Sequence, residues 1–223
     1  WYQSVVRWLA VGIAVSVFLG ACGSPPESSP PSSAATALSA INPANVSRIR
    51  PALPEGYEVA EMRGPVSAVS LWGFGTGWTA TPSQCAILAD PAPSDVGARG
   101  LSASGAGGTL FVMASTALDG GPAAELLAQC RNWTMAFAHT SAEVSTIEAP
   151  VIEGTSTVAW AAMTRTIVEA GMETNARATT ALAYLDGYVA YVTLITDPGS
   201  PNPPLDAGFV ADLLATTVAA LLR

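Results

Sequence analysis

At 223 residues the chain has room for one domain with a full core once an export segment and a linker are set aside, and 50% apolar with 12% charged residues excludes a disordered chain. All nine basic residues are arginine, and seventeen acids bring the net charge to −8, which argues against nucleic acid as a partner because phosphate binding needs clustered positive charge. With no lysine in the sequence, P-loop and Schiff-base chemistry are also excluded.

The N-terminus places Arg7 before the apolar run of residues 8–19, followed by Gly20, Ala21 and Cys22. That run is short for a bilayer span and has the form of a signal-peptide core. Leu19-Gly20-Ala21-Cys22 resembles a bacterial lipobox, in which the cysteine thiol takes a diacylglyceryl group and becomes the new N-terminus. Residues 1–21 are therefore expected to be a lipoprotein signal peptide, with Cys22 lipidated; two acyl chains hold a protein where one alone is marginal. The alternative is an uncleaved helix with an incidental cysteine. Residues 22–40 are rich in Ser and Pro and read as a tether, reaching about 20 Å as a coil and about 55 Å as a polyproline-like rod. The folded part, residues 41–223, is thus expected on the extracytoplasmic face of the cell membrane, lipid-anchored.

With Cys22 assigned to lipid, Cys85 and Cys130 form an even pair in an oxidising compartment, and a disulfide is the default reading. A pair of buried thiols and a redox or metal role are the alternatives. No Cys-x-x-Cys spacing supports redox work, and His139, the only histidine, completes no metal-ligand set.

Order is expected from Ile41, with a short helical turn over residues 44–50 that Pro51 stops. Residues 57–62 alternate apolar and acidic, the period of a half-buried strand. Residues 82–90 read as a short helix carrying Cys85 and ended by Pro91, and residues 92–108 as loop around one weak strand. Residues 108–115 form a strand. Gly121-Pro122 opens a helix on which Leu126, Leu127, Cys130 and Trp133 share one face, turning Cys130 inward.

Residues 134–148 and 155–169 alternate and are rich in Thr, Val and Ile, so they read as strands joined by turns. Residues 180–195 carry the strongest local signal: Asp186-Gly187 between two β-rich runs marks a two-residue hairpin. Its register sets Leu185 against Tyr188, Tyr184 against Val189 and Ala183 against Ala190; both faces are apolar, so the hairpin is expected to be central and covered twice. Asp206 caps a final helix with a stripe of Phe209, Val210, Leu213, Leu214, Val218, Leu221 and Leu222. The sum is an α+β fold: an antiparallel sheet flanked by helices, a single domain with a disulfide and room for a cleft.

Catalytic motifs are missing from the sequence. Ser-His-Asp or Cys-His catalysis would have to use His139, whose neighbours read as a core strand. Gly100-Leu-Ser-Ala-Ser104 lacks the last glycine of a nucleophile elbow, and Trp72-Gly-Phe-Gly-Thr-Gly-Trp78 does not fit a nucleotide loop. The chain is accordingly expected not to be an enzyme, with no cofactor and no metal.

Two features suit binding. Trp72, Phe74 and Trp78 alternate with small residues; the rings either close one end of the core or form a cleft wall or protein contact. Ala181, Ala183 and Ala190 make a small-residue patch that either admits the C-terminal helix closely or floors an apolar cavity fit for a lipid or similar envelope molecule.

Ile41-Asn-Pro-Ala-Asn-Val, Leu53-Pro-Glu-Gly-Tyr-Glu-Val, Leu71-Trp-Gly-Phe-Gly-Thr-Gly-Trp, Pro82-Ser-Gln-Cys85 and Cys130-Arg-Asn-Trp133 resemble the mycobacterial lipoproteins of DUF5642 type. These are similar in layout to the extracellular sensor domain of a mycobacterial Ser/Thr protein kinase. The resemblance covers the chain from Ile41 onward and implies an antiparallel sheet with helices around a cleft. The kinase relatives carry more cysteines, so the pair here would be one of their bridges. The expected function is a non-enzymatic binding or sensing module for an envelope ligand; the alternative is an accessory protein docking another envelope protein through the aromatic loop.

Overall fold

A computed structural model describes residues 41–92, 95–117 and 121–223. The expected signal peptide, tether and lipidated Cys22 lie outside the described residues.

Asn42 caps a 3-10 helix, Pro43–Ala52, its side chain accepting from the Ala44 N–H at 3.0 Å. This helix was expected to stop at Pro51 but includes it. Its last turn closes through the Leu53 N–H on the Arg50 carbonyl, so the N–H that Pro51 lacks is not needed. Strand β1 (Glu58–Arg63), helix α1 (Ala68–Leu71) and the short strand β2 (Thr79–Thr81) follow. The expected helix around Cys85 is a 3-10 turn, Ser83–Cys85, running into α2 (Ala86–Ala89) ahead of Pro91.

The weak strand expected within residues 92–108 is a full one, β3 (Arg99–Gly105), paired on both sides. Its glycine content is explained by packing: a Cβ at Gly100 would stand 2.4 Å from the Val112 carbonyl oxygen. Next come β4 (Gly108–Thr116) and α3 (Ala124–Gln129). The helix face expected to include Cys130 and Trp133 is shorter than its apolar spacing suggested. Cys130 is the residue that ends α3, and Trp133 lies in β5 (Asn132–Phe137), where pairing with β6 (Thr140–Thr146) outcompetes helical propensity. His139, expected in a core strand, sits instead in the turn of that hairpin. There Ala138 takes φ 49°, and the His139 carbonyl accepts from the Ile167 N–H at 2.9 Å.

β7 (Ser156–Ile167), β8 (Glu173–Leu185), β9 (Tyr188–Thr196) and α4 (Ala207–Leu221) complete the chain. The β8–β9 register is the one read from Asp186-Gly187, with Gly187 at φ 68°. Asp206 caps α4, accepting from the Phe209 N–H at 2.8 Å. Of its apolar stripe, Leu222 lies exposed just beyond the helix.

The strands form one antiparallel sheet of nine in the order β1-β3-β4-β9-β8-β7-β6-β5-β2. The fold is therefore sheet-dominated, and α+β describes it only approximately. Each face carries its own core. One face packs Trp133, Val144, Trp160, Leu182 and Tyr191 beneath α1, α2 and α3. The opposite face packs Leu101, Val112, Ala181, Ala190 and Val192 beneath α4 and the 3-10 helix. The β8–β9 hairpin lies near the middle and is covered on both sides, as its apolar faces require. A disulfide joins Cys85 to Cys130, tying the start of α2 to the end of α3.

Candidate functional site

A fifteen-residue helix is roughly 22 Å long and about 10 Å wide, whereas nine strands spread over roughly 38 Å. One helix therefore cannot cover a sheet of this width. On the α4 face the cover ends near Ala159 of β7, the last strand residue of that core. Beyond it the outward positions of β7, β6, β5 and β2, polar except for residues such as Ala161 and Met163, border an open groove of about 710 Å³.

Strand register sets the groove's geometry. Thr81, Thr134, Glu143, Met163, Arg177 and Thr196 are successive cross-strand partners, making one transverse row over six strands. A second row runs through Asn132, Ser145, Ala161 and Thr179. Met163 is 38% exposed, and its thioether joins Ala161 as apolar floor between the hydroxyls of Thr134 and Ser145 and the amide of Asn132.

Two charged arrangements share this face. At its rim, Arg165 holds Glu173 with two hydrogen bonds, from Nε at 2.8 Å and from Nη2. The Arg165 hydrogen bond holds the Glu173 carboxyl below its usual range and raises the guanidinium in return. Glu143 and Arg177 differ: neither has a side-chain hydrogen bond or ion-pair partner among the described residues, although three ion pairs occur there.

The residues singled out from the sequence lie elsewhere. Trp72 and Phe74 are 4% and 2% exposed, built into the core beneath α1, with Trp78 half-buried at its edge. The aromatic loop closes one end of that core, and Gly75 admits the Phe137 ring so closely that a Cβ there would stand 2.5 Å from it. Ala181, Ala183 and Ala190 lie on the opposite face beneath α4, so the structure does not bring the two sets together. Their small side chains let the helix approach the sheet.

A smaller apolar cavity of about 260 Å³ opens on the helix-rich side between Ile87, Leu126 and Tyr184. Burial pushes the Tyr184 phenol up to about 12. Nearby in the same core, the Ser67 hydroxyl donates to Asp90 Oδ2 at 2.7 Å and the Tyr191 hydroxyl to the Val66 carbonyl at 2.6 Å. The first ties the segment before α1 to the end of α2, and the second ties it to β9 of the sheet.

The groove residues escaped the sequence reading although the period-2 signal for them was present. Thr134, Glu143 and Ser145 alternate with buried neighbours as any solvated strand face does, and only the limit of α4 makes that face a groove.

Fold and site together define a disulfide-stapled, sheet-dominated domain with one face packed under three short helices and the other open beyond α4. The chain belongs to the family described as Domain of unknown function (DUF5642), whose model matches residues 42–222. Its fold is similar to the X-ray structure of an uncharacterised Mycobacterium smegmatis protein, the Rv0999 ortholog. That match has a TM-score of 0.60 and 20% identity and covers 82% of this chain and 98% of that one. No curated protein matches the chain.

Proposed function

We propose that this chain is a membrane-anchored extracytoplasmic lipoprotein whose folded domain is a non-enzymatic binding or sensing module, holding a cell-envelope ligand in the groove over β5 to β8. The single observation carrying the reading is the groove of about 710 Å³ over the part of the sheet that α4 leaves uncovered. A volume in the range of small-molecule sites, with few placed charges among hydroxyls, suits reversible recognition. The Cys85–Cys130 bridge supports export to an oxidising compartment, and the lipobox-like Leu19-Gly20-Ala21-Cys22 supports anchoring. The layout likened to the kinase sensor domain is consistent with a sensing role.

Native mass spectrometry of the full chain purified in detergent from its host tests the binding reading. A co-purifying small molecule is expected in the wild type and not in Ala161→Trp, which fills the groove, with thermal unfolding matched between the two. Equal occupancy in both, or none in the wild type, would sink it. Fractionation tests the anchor, because Cys22→Ala should leave the membrane pellet.

A second reading, docking to another envelope protein, is favoured by the β7–β8 turn, where Ile167, Val168 and Met172 are 45%, 39% and 65% exposed. With Trp72 and Phe74 buried, this turn rather than the aromatic loop would make the contact. Met172→Asp would then release the partner without disturbing groove occupancy.

A further inference from the structure

We infer that the groove binds a short zwitterion, with its cationic group at Glu143 and its anionic group at Arg177; this rests on the groove being the ligand site. Glu143 and Arg177 are each the cross-strand partner of Met163, on opposite sides of it. Two strand spacings separate their backbones, roughly 9.5 Å. On this same face Arg165 pairs with Glu173, and at the far edge of the sheet Arg50 and Arg63 pair with Glu61. Here an exposed methionine stands between opposite charges and both remain unpaired among the described residues.

The arrangement discriminates by charge as well as by size. A simple anion at Arg177 gains nothing from Glu143, and a simple cation at Glu143 gains nothing from the guanidinium, because the far exposed charge is largely screened at about one Debye length. A molecule carrying both charges at its ends satisfies both, with its middle over the Met163 thioether and its polar flanks toward Thr134 and Ser145. An extended chain advances about 3.3–3.6 Å per residue, so a tripeptide with free ends spans about 10 Å and matches the row.

The test titrates the full chain in detergent with the tripeptide Gly-Leu-Gly, its N-acetylated form and its C-amidated form, by isothermal calorimetry. The free tripeptide is expected to bind about two- to fivefold more tightly than either capped form, the range an exposed ion pair supplies. Glu143→Gln should erase the preference for a free amino end while keeping that for a free carboxylate, and Arg177→Gln should do the reverse. Both side chains lie at the surface of the sheet, and unchanged melting curves would show that folding is intact. Equal binding of free and capped peptides, loss of both preferences in either variant, or no binding of Gly-Leu-Gly would overturn the zwitterion assignment. If the molecule that co-purifies in the native spectrum still depends on Ala161, the groove remains the ligand site and only the ligand class has failed.

Discussion

The hydroxyls of Thr180 and Thr193 lie 2.9 Å apart across the β8–β9 pair, in a part of the sheet from which solvent is wholly excluded. One hydroxyl donates to the other, so removing either strands its partner. Thr180→Val alone is expected to cost about 1–3 kcal/mol, whereas Thr180→Val with Thr193→Val should be close to neutral because no orphan hydroxyl is left. Urea denaturation of the four proteins in a double-mutant cycle checks this, and equal losses in the single and double variants would contradict it.

The Cys85–Cys130 bridge joins residues 45 apart in sequence. In the chain-entropy picture a loop of that length gives about 4 kcal/mol through restriction of the unfolded chain. Cys85→Ala with Cys130→Ala should lower the unfolding free energy by about that much in denaturant titrations. A loss well under 1 kcal/mol would show that the packing of α2 and α3 holds this end without the bond.

Asp90 and Asp95 should pull the pH dependence of stability in opposite directions. Burial raises Asp90 above the ordinary 3.8, only partly offset by the Ser67 hydroxyl and the Ala68 N–H. The folded chain then binds the extra proton, so stability from this group falls as pH rises from about 3.8 through the raised value. Asp90→Asn should remove that fall and gain on the wild type toward neutral pH. Burial also pushes Asp95 upward, but the Thr116 and Gly97 N–H groups and the Ser115 hydroxyl outweigh it and hold the carboxyl below 3.8. Its contribution is present above 3.8 and lost as pH falls through the depressed value, so Asp95→Asn should lose stability mainly at neutral pH. Urea titrations from about pH 3 to about pH 7 separate the two, and parallel curves for both variants would contradict the assignment.

Packing beneath the helices gives a graded expectation. Trp72→Ala empties an enclosed site and should cost about 3–5 kcal/mol, with Trp78→Ala costing distinctly less because its ring is only partly buried at the edge of the core. On the other face Ala190, fully buried opposite Ala183 beneath α4, leaves no room for growth. Ala190→Leu should cost about 1–3 kcal/mol by lifting the helix. Thermal unfolding of the three variants orders them, and a silent Ala190→Leu would mean that α4 does not press on this patch.

Elements whose cause is local were legible in the residues themselves. Asp186-Gly187 set the register of β8 on β9 because a two-residue turn leaves no freedom to slip, and the apolar stripe after Asp206 specified a helix with one buried side. An even pair of cysteines pointed to the bridge. By contrast, β3 read only as a weak strand within loop because its glycines lower strand propensity, and the close approach of β4 at Gly100 and of Tyr57 at Gly105 shows why they are there. Trp133 fits a helix face as well as a strand, and pairing between β5 and β6 decided the matter.

The groove belongs wholly to that second kind. Nothing in the alternation of Thr134, Glu143 and Ser145 distinguishes a ligand surface from an ordinary wet strand. What separates them is how far α4 reaches over nine strands, and which side chains strand pairing brings level with Met163. Turns and helix stripes are properties of neighbours along the chain, and cysteine parity is a matter of composition, so the amino-acid sequence determined them unaided. The spacing of Glu143 from Arg177, distant in sequence and two strands apart in space, exists only once the sheet has closed up between them.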